Sequence, residues 1–320
     1  MRCFKELSIA ALLFGFTAFS SAQTMQEVTE AYNKGGELIA AKNMDGAIAE
    51  LEKCVDLAKK VGAEAEEIQV LAEIALPGLY FEKAKSVLAT RDYQATLQAL
   101  ETTIAAAEKY KSKEVKESAE KTVPQVYLQL GNTDYQAQKY EDAIKNFDQV
   151  IAREPNMARA YYVKGVCYQN LKDEAKMEES YKLAIEKGSA TNDAQTVQGA
   201  KTALSRYFYN AGIAARRAQK WDDAIAAFTK TIEADESNFD AYFALTGSYN
   251  GKQSWDNAIS TGEKALTIKD SGLDGVYYEL GTAFAGKKNN SKACEYFKKV
   301  GPGNFLQGAK YQIETALKCN

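Results

Sequence analysis

Apolar side chains recur along most of the chain at intervals of three and four residues, with polar and charged residues between them. Tyr140, Ala143 and Phe147 show this spacing, which places side chains on one face of an α-helix. The chain is also rich in straight-chain residues and contains only four prolines, which favours helix further. The pattern therefore predicts an all-α protein whose helices each need a neighbour to cover the apolar face.

Two sets of mostly small residues repeat along the chain in register. One residue marks the first helix of each predicted pair: Gly35, Ala84, Gly131, Gly165, Gly212, Thr246 and Gly281. Twelve positions later the second helix carries Ala47, Thr96, Ala143, Met177, Ala224, Ala258 and Ala293. We expect the two sets to face one another where antiparallel helices approach closely. Because one pair cannot bury its apolar face alone, the pairs must stack.

The stretch from residue 127 to residue 155 carries the fullest copy of the repeat. Its marked positions are Tyr127, Leu130, Gly131, Tyr140, Ala143, Phe147 and Pro155. This pattern resembles the tetratricopeptide repeat. The resemblance implies a right-handed α-solenoid of about seven helix pairs, followed by a C-terminal capping helix over residues 304–320.

Successive first-helix positions are 49, 47, 34, 47, 34 and 35 residues apart, so three intervals exceed the 34-residue period. The additional residues fall near 61–74, 109–123 and 187–201 and mostly lack helix breakers. We expect them to lengthen the flanking helices rather than form loops. The predicted organisation is a signal peptide (1–22), repeats with elongated helices (23–123), regular repeats (124–303) and the capping helix (304–320).

The N-terminus has the pattern of an export signal. Arg2 and Lys5 precede an apolar run, Leu7–Phe19, and small residues precede Gln23. Such a run is too short to span a bilayer but suits a signal peptide, although a buried first helix would also be apolar. Cys3 precedes the run, where a lipid-anchored cysteine is not found. We therefore expect a periplasmic or envelope-associated protein with no transmembrane segment.

Composition removes several classes of chemistry. The chain has no histidine, so neither a Ser-His-Asp site nor a His-ligated metal can be built from it alone. The net charge of −3 gives no basic footprint, so nucleic acid is not an expected partner. No phosphate loop, dinucleotide motif or calcium loop is present, and we expect no cofactor, no metal and no enzymatic activity.

Four cysteines follow the predicted signal: Cys54, Cys167, Cys294 and Cys319. Their spacing is not that of a metal site, and we expect them to pack as small residues. If the chain folded back around residues 301–303, Cys294 would lie level with roughly residue 310, about 13 Å from Cys319. That geometry predicts no disulfide between them.

The resemblance implies that the first helix of each pair lines a concave surface, where partner-binding residues are to be sought. One position carries an aromatic residue in four consecutive repeats: Tyr162, Tyr209, Phe243 and Tyr278. A second set is basic and polar: Arg159, Gln169, Asn170, Arg206, Asn210, Arg216 and Arg217. Aromatic rings anchor bound segments and arginines bind carboxylates. The alternatives are that the rings only pack against neighbouring helices and that the charges form a solvated face.

These features predict a non-enzymatic scaffold of the bacterial cell envelope that binds a protein or peptide partner in its groove. One alternative is recognition of glycan or cell-wall fragments by the groove tyrosines. The other is a carboxylate-dependent hydrolase, although no constellation of Asp and Glu marks such a site. The identity of the partner and the oligomeric state stay open.

Overall fold

The computed structural model describes residues 24–319, so the predicted signal peptide lies outside the described residues. These residues belong to two compact units, of which unit 1 ends at Pro155 and unit 2 begins at Asn156. Every regular element in the described range is helical, which confirms the all-α prediction. No helix in that range is long and apolar enough to cross a membrane.

Unit 1 contains three antiparallel helix pairs. They are α1 (24–40) with α2 (Met44–Val61), α3 (Glu66–Ala89) with α4 (Tyr93–Lys109), and α5 (Lys113–Gln136) with α6 (Tyr140–Arg153). A short 3-10 turn, Ala63–Ala65, links the first two pairs.

Unit 2 contains four further pairs and a C-terminal segment. The pairs are α7 (Ala158–Leu171) with α8 (Glu174–Thr191), α9 (Ala194–Arg217) with α10 (Trp221–Ala234), α11 (Phe239–Gly251) with α12 (Trp255–Ala265), and α13 (Asp274–Gly286) with α14 (Asn290–Phe297). The segment comprises α15 (Leu306–Tyr311) and a π-helical turn, Gln312–Ala316. The described residues thus form the predicted seven helix pairs of an α-solenoid, with the final helix after them.

A single left-handed residue ends the first helix of every pair. These residues have φ values between 56° and 63°: Lys42, Arg91, Gln138, Lys172, Gln219, Gln253 and Lys288. The residue that follows is the N-cap of the second helix, and where it is Asp or Asn its side chain accepts a hydrogen bond from the first turn of that helix. Asp92, for example, accepts a hydrogen bond from the Ala95 amide, and Asp173 accepts one from the Lys176 amide.

The glycines of the first helices face large side chains, not the small residues of the second helices. A Cβ atom at Gly212 would lie 2.6 Å from the Phe228 ring, and one at Gly131 would lie 2.8 Å from Phe147. Gly35, Gly165 and Gly281 meet the residue sixteen positions later in the same way. The expectation that the marked small residues of the two helices face one another was therefore wrong. The small second-helix residues are nevertheless all fully buried.

The pair α11–α12 reverses this arrangement. Thr246 stands where the other first helices have Gly or Ala, and Gly262 stands where the other second helices have Leu, Phe or Tyr. A Cβ atom at Gly262 would lie 3.2 Å from the Thr246 methyl carbon and 2.7 Å from Leu280. The larger residue on one helix is thus accommodated by the smaller one opposite.

The inserted residues lie in helices and are shared unequally. The first helices α3, α5 and α9 each have 24 residues, against 14 in α7. The preceding second helices α2, α4 and α8 have 18, 17 and 18 residues, against 14 in α6 and α10. Most of each insertion therefore extends the N-terminal end of a first helix, and in α5 and α9 these ends form the walls of grooves.

A disulfide joins Cys294 of α14 to Cys319, with the two Cα atoms 5.7 Å apart. The prediction of no disulfide was wrong because the C-terminal segment does not fold back along α14. Instead it packs against α13, where the Phe305 ring lies 5.6 Å from that of Tyr278. The π-helical turn then brings Cys319 back to α14. Cys54 and Cys167 are buried free thiols, as expected for small core residues.

Candidate partner-binding site

The four predicted aromatic residues lie on the first helices of unit 2: Tyr162 on α7, Tyr209 on α9, Phe243 on α11 and Tyr278 on α13. Each is half-buried. Three rings lie over the large residue that covers the glycine of the same pair. The centroid distances are 5.7 Å from Tyr162 to Tyr181, 5.7 Å from Tyr209 to Phe228, and 5.6 Å from Tyr278 to Phe297. Packing within the pair therefore fixes the orientation of these rings.

Phe243 lacks such a partner because Gly262 occupies the corresponding position on α12. Its ring packs edge-on against Phe305, with the centroids 6.0 Å apart. Phe305 also contacts Tyr278, so the C-terminal segment covers the last two rings of the row. Tyr162 and Tyr209 lie on the helices before this cover. Of the four residues, they are the better placed to contact a partner.

A groove of about 460 Å³ lies between α7 and α9 and is lined by Tyr162 and Arg206. We call it the Tyr162–Arg206 groove. Gln195, Gln198 and Thr202 complete its polar wall, and all belong to the N-terminal part of the long helix α9. A Cβ atom at Gly199 would meet the Tyr162 ring at 3.5 Å, so the hydroxyl end of the ring lies against this part of α9. The structure thus brings together one aromatic and one arginine predicted from the sequence.

Arg206 is exposed and forms no ion pair within residues 24–319. Arg159 is exposed at the N-terminal end of α7, close enough to Asp193 to contribute to lowering the pKa of that carboxyl. The larger cause of that lowered pKa is hydrogen bonding from Thr196. Asn210 and Arg217 are exposed on α9. Arg206 therefore places a positive charge in this groove, whereas the charge of Arg159 lies beside the Asp193 carboxylate.

Arg216 differs from the other predicted arginines because it is engaged within the protein. Its guanidinium lies 3.4 Å from a carboxylate oxygen of Glu279 on α13. A Cβ atom at Gly247 would lie 2.5 Å from that guanidinium, so glycine leaves the space through which Arg216 passes over α11. Gln169 is also engaged, since its side-chain oxygen accepts a hydrogen bond from Tyr181. Both residues therefore already make a contact within the protein.

Glu279 and Asn250 were missed by sequence reasoning. Glu279 is only 9% exposed, and Asn250 donates its side-chain amide to the Glu279 carboxylate at 2.7 Å and to its backbone carbonyl at 2.9 Å. Burial raises the pKa of Glu279, against the opposing effects of the Asn250 hydrogen bond and the Arg216 charge. The one available signal was a glutamate two residues before Gly281, on an otherwise apolar and small-residue helix face.

The described residues form no candidate metal site. No group of three or more His, Cys, Asp or Glu side chains between residues 24 and 319 is arranged to hold a metal ion. Burial raises the pKa of the Cys167 thiol to about 12, so this cysteine is not a reactive thiolate at neutral pH. The side chains of the Tyr162–Arg206 groove can bind a ligand through an aromatic ring, amides and a guanidinium group.

Comparison with known proteins gives a family match. The model described as tetratricopeptide repeat matches residues 128–192 and 209–272. A comparison with curated protein sequences gives no match.

Several solved structures are similar. A tetratricopeptide repeat protein from Parabacteroides merdae is 15% identical, with 92% of this chain and 100% of that chain covered and a TM-score of 0.30. MamA from Desulfovibrio magneticus is 18% identical, covering 55% of this chain and 92% of that one, with a TM-score of 0.31. The TPR2AB domain of yeast Sti1 is 14% identical, covering 90% and 95%, with a TM-score of 0.31.

At these TM-scores the family assignment rests on the sequence match and on the repeat positions, not on the superpositions. The matched segments include four of the seven small first-helix positions, Gly131, Gly165, Gly212 and Thr246. In the structure, the first segment comprises the end of α5 with α6 and the pair α7–α8. The second comprises the end of α9 with α10 and the pair α11–α12. The chain therefore contains tetratricopeptide repeats, which the family match places at residues 128–192 and 209–272.

Proposed function

We propose that this chain is a non-enzymatic adaptor that binds a segment of a partner protein in the Tyr162–Arg206 groove. The observation that carries the proposal is the presence of a half-buried aromatic ring and an exposed arginine in one groove. An aromatic ring supplies contact area at little entropic cost, and a guanidinium can bind a carboxylate through two hydrogen bonds. Repeat proteins of this kind use such extended surfaces for binding.

The chemistry of the groove specifies the ligand. Tyr162 fits an apolar side chain, Arg206 fits a carboxylate, and the amides of Gln195 and Gln198 fit the backbone of a bound segment. The proposed ligand is therefore an extended or helical protein segment with an acidic residue close to an apolar one.

The proposal includes export to the bacterial periplasm or cell envelope, because residues 1–22 have the pattern of a signal peptide. Cell fractionation of the full chain tests this point separately. The expected result is a mature protein outside the cytoplasm whose first residue is Gln23. Retention of the uncleaved chain in the cytoplasm would contradict it.

Site-specific crosslinking tests the binding proposal. A photoreactive amino acid in place of Gln198 is expected to capture a defined partner protein, whereas the same amino acid in place of Gln26, exposed on α1, is expected not to. Binding of the purified partner should weaken at least about tenfold in Tyr162→Ala and Arg206→Glu. Tyr249→Ala, which removes a half-buried tyrosine that does not line this groove, should leave affinity unchanged.

Equal binding by all three variants would remove the groove from the proposal. Binding to glycans that survives protease treatment of the ligand would favour the sugar-recognition alternative. Metal-dependent hydrolysis by the purified chain would revive the enzyme alternative.

A further inference from the structure

A second cleft, of about 790 Å³, lies in unit 1 and is absent from the sequence-based predictions. It runs between α4 and the N-terminal half of α5, and the end of α6 closes it. We call it the acidic cleft. The additional residues inserted before the regular repeats create it, because much of its α5 wall belongs to the extension of that helix.

The floor of the acidic cleft is apolar. It is formed by Leu97, Ile104, Val123, Pro124 and Tyr127. Leu97, Ile104, Val123 and Tyr127 are half-buried, so each keeps surface that a ligand can cover. Pro124 lies inside α5 and has no N–H, so the Glu120 carbonyl in the same wall lacks its usual helical donor. The volume accommodates several side chains of a ligand, since pockets of about 300–1,000 Å³ hold whole small molecules.

The rim of the cleft is acidic. Glu101, Glu117, Glu120 and Glu154 line it, against Lys121 and Arg153. Arg153 is held in place by the chain: its guanidinium lies 5.0 Å from the Tyr127 ring centroid and donates hydrogen bonds to the Gln149 backbone and side-chain oxygens at 2.9 and 2.8 Å. Glu117 and Glu120 lie 3.7 Å from Lys113 and Lys116 respectively, in exposed pairs that contribute little. The lining thus carries four carboxylates against two cationic side chains, and its charge is negative.

We infer that the acidic cleft binds a basic amphipathic helix of a second partner protein. Apolar side chains on one face of that helix cover the floor, and lysine or arginine side chains beside them reach the glutamates of the rim. The α4 wall from Gln94 to Ile104 is about 15 Å long, which matches roughly three helical turns. The preferred charge is opposite to that of the Tyr162–Arg206 groove, so the two surfaces select different ligands.

Three labelled synthetic helices of about 14 residues serve as probes. The first has leucine at helical spacing with flanking lysines, the second has the same composition in scrambled order, and the third has glutamate for each lysine. Fluorescence anisotropy with the mature chain should show binding of the first helix only. Equal binding of the scrambled helix would reduce the interaction to non-specific charge and overturn the inference.

Substitutions test whether the basic helix binds in the acidic cleft. Glu101→Lys with Glu120→Lys should weaken the basic helix at least about tenfold, and Ile104→Glu should do the same. Tyr162→Ala with Arg206→Glu should leave it unchanged, which separates this inference from the proposed function. A photoreactive residue at Gln98, which lines the cleft, should crosslink the helix, whereas one at Gln125, exposed on α5 outside it, should not.

Two further outcomes decide against the inference. If all cleft variants bind like the parent chain while circular dichroism shows them folded, the cleft is not the site. If sedimentation shows that the chain self-associates and the two lysine substitutions abolish this, the occupant is a second copy of the chain, not a basic partner.

Discussion

The guanidinium of Arg216 lies 3.4 Å from the carboxylate of Glu279, although 63 residues separate the two in the chain. The contact passes over Gly247 of α11, so it ties the first helices of three consecutive pairs together. Since Glu279 is buried, this is an internal contact and not a surface ion pair. It joins α9, which carries Tyr209, to α13, which carries Tyr278, across α11, which carries Phe243.

The Glu279→Gln variant should change how stability depends on pH. Because burial raises the pKa of Glu279 in the folded state above its unfolded value of 4.5, the folded protein binds this proton more tightly. The resulting stabilisation is fully present below that unfolded value and is lost as pH rises through the folded pKa. The parent protein should therefore lose stability relative to Glu279→Gln as the pH rises above 4.5.

Urea unfolding followed by tryptophan fluorescence measures this difference, because both tryptophans, Trp221 and Trp255, belong to unit 2. Glu295→Gln provides the matched control. Lys299 lowers the pKa of the exposed Glu295, so that variant should show the opposite sign and a small effect. A pH-independent difference between Glu279→Gln and the parent would show that Glu279 titrates normally.

Asn250→Ala should destabilise unit 2 by about 1–3 kcal/mol, because it removes the donor that serves the buried Glu279 carboxylate and carbonyl. Asn210→Ala on α9 removes an exposed amide and should change the free energy of unfolding by no more than about 0.5 kcal/mol. The same fluorescence-monitored unfolding compares the two. Equal effects would contradict a structural role for the buried amide.

Gly212→Ala should destabilise unit 2 by about 1–3 kcal/mol, because its methyl group would overlap the fully buried Phe228 ring. Gly199→Ala on the same helix places a methyl group 3.5 Å from Tyr162, an ordinary contact distance. That change should be neutral or stabilise by up to about 1 kcal/mol, since alanine favours helix. Thermal or urea unfolding of the pair checks the prediction, and a loss in both variants would count against it.

Cys319→Ser should destabilise the oxidised protein by about 3 kcal/mol, because the disulfide with Cys294 closes a segment with a sequence separation of 25 residues. Under reducing conditions the variant and the parent should unfold together. Thiol labelling of the oxidised mature chain should find only Cys54 and Cys167, and only after denaturant exposes them. Labelling of Cys294 in the native oxidised protein would contradict the bridge.

The helix pairs were predictable because their signal is periodic. A small first-helix residue, such as Gly131 or Gly212, is followed twelve positions later by the marked second-helix residue, and this spacing recurs often enough to define register without knowledge of contacts. Its partner was assigned wrongly because spacing alone does not show which residue of the second helix lies opposite. The ring of Phe228, sixteen residues on, fills the space over Gly212, and Ala224 is buried beside it.

The remaining features depend on contacts between elements that are distant in sequence. The roles of Glu279 and Asn250 could not be predicted from the sequence, because their contacts form only when α9, α11 and α13 pack together. The disulfide required knowledge of where the chain runs after Gly303, because Phe305 packs against Tyr278 and redirects it. Tyr162 and Arg206 were predicted as individual residues, but their shared groove depends on the additional turns of α9.

The reversed sizes of Thr246 and Gly262 constrain how this chain can evolve by recombination between its repeats. Moving a single helix from another repeat into this pair would bring two bulky residues together or leave a void between two small ones. Recombination that exchanges whole pairs preserves the match between Thr246 and Gly262, whereas recombination within a pair breaks it. Leu280 of α13 also lies close to Gly262, so the following helix must be matched as well. We therefore expect α11 and α12 to be exchanged together, and shuffling experiments should keep both helices of the pair.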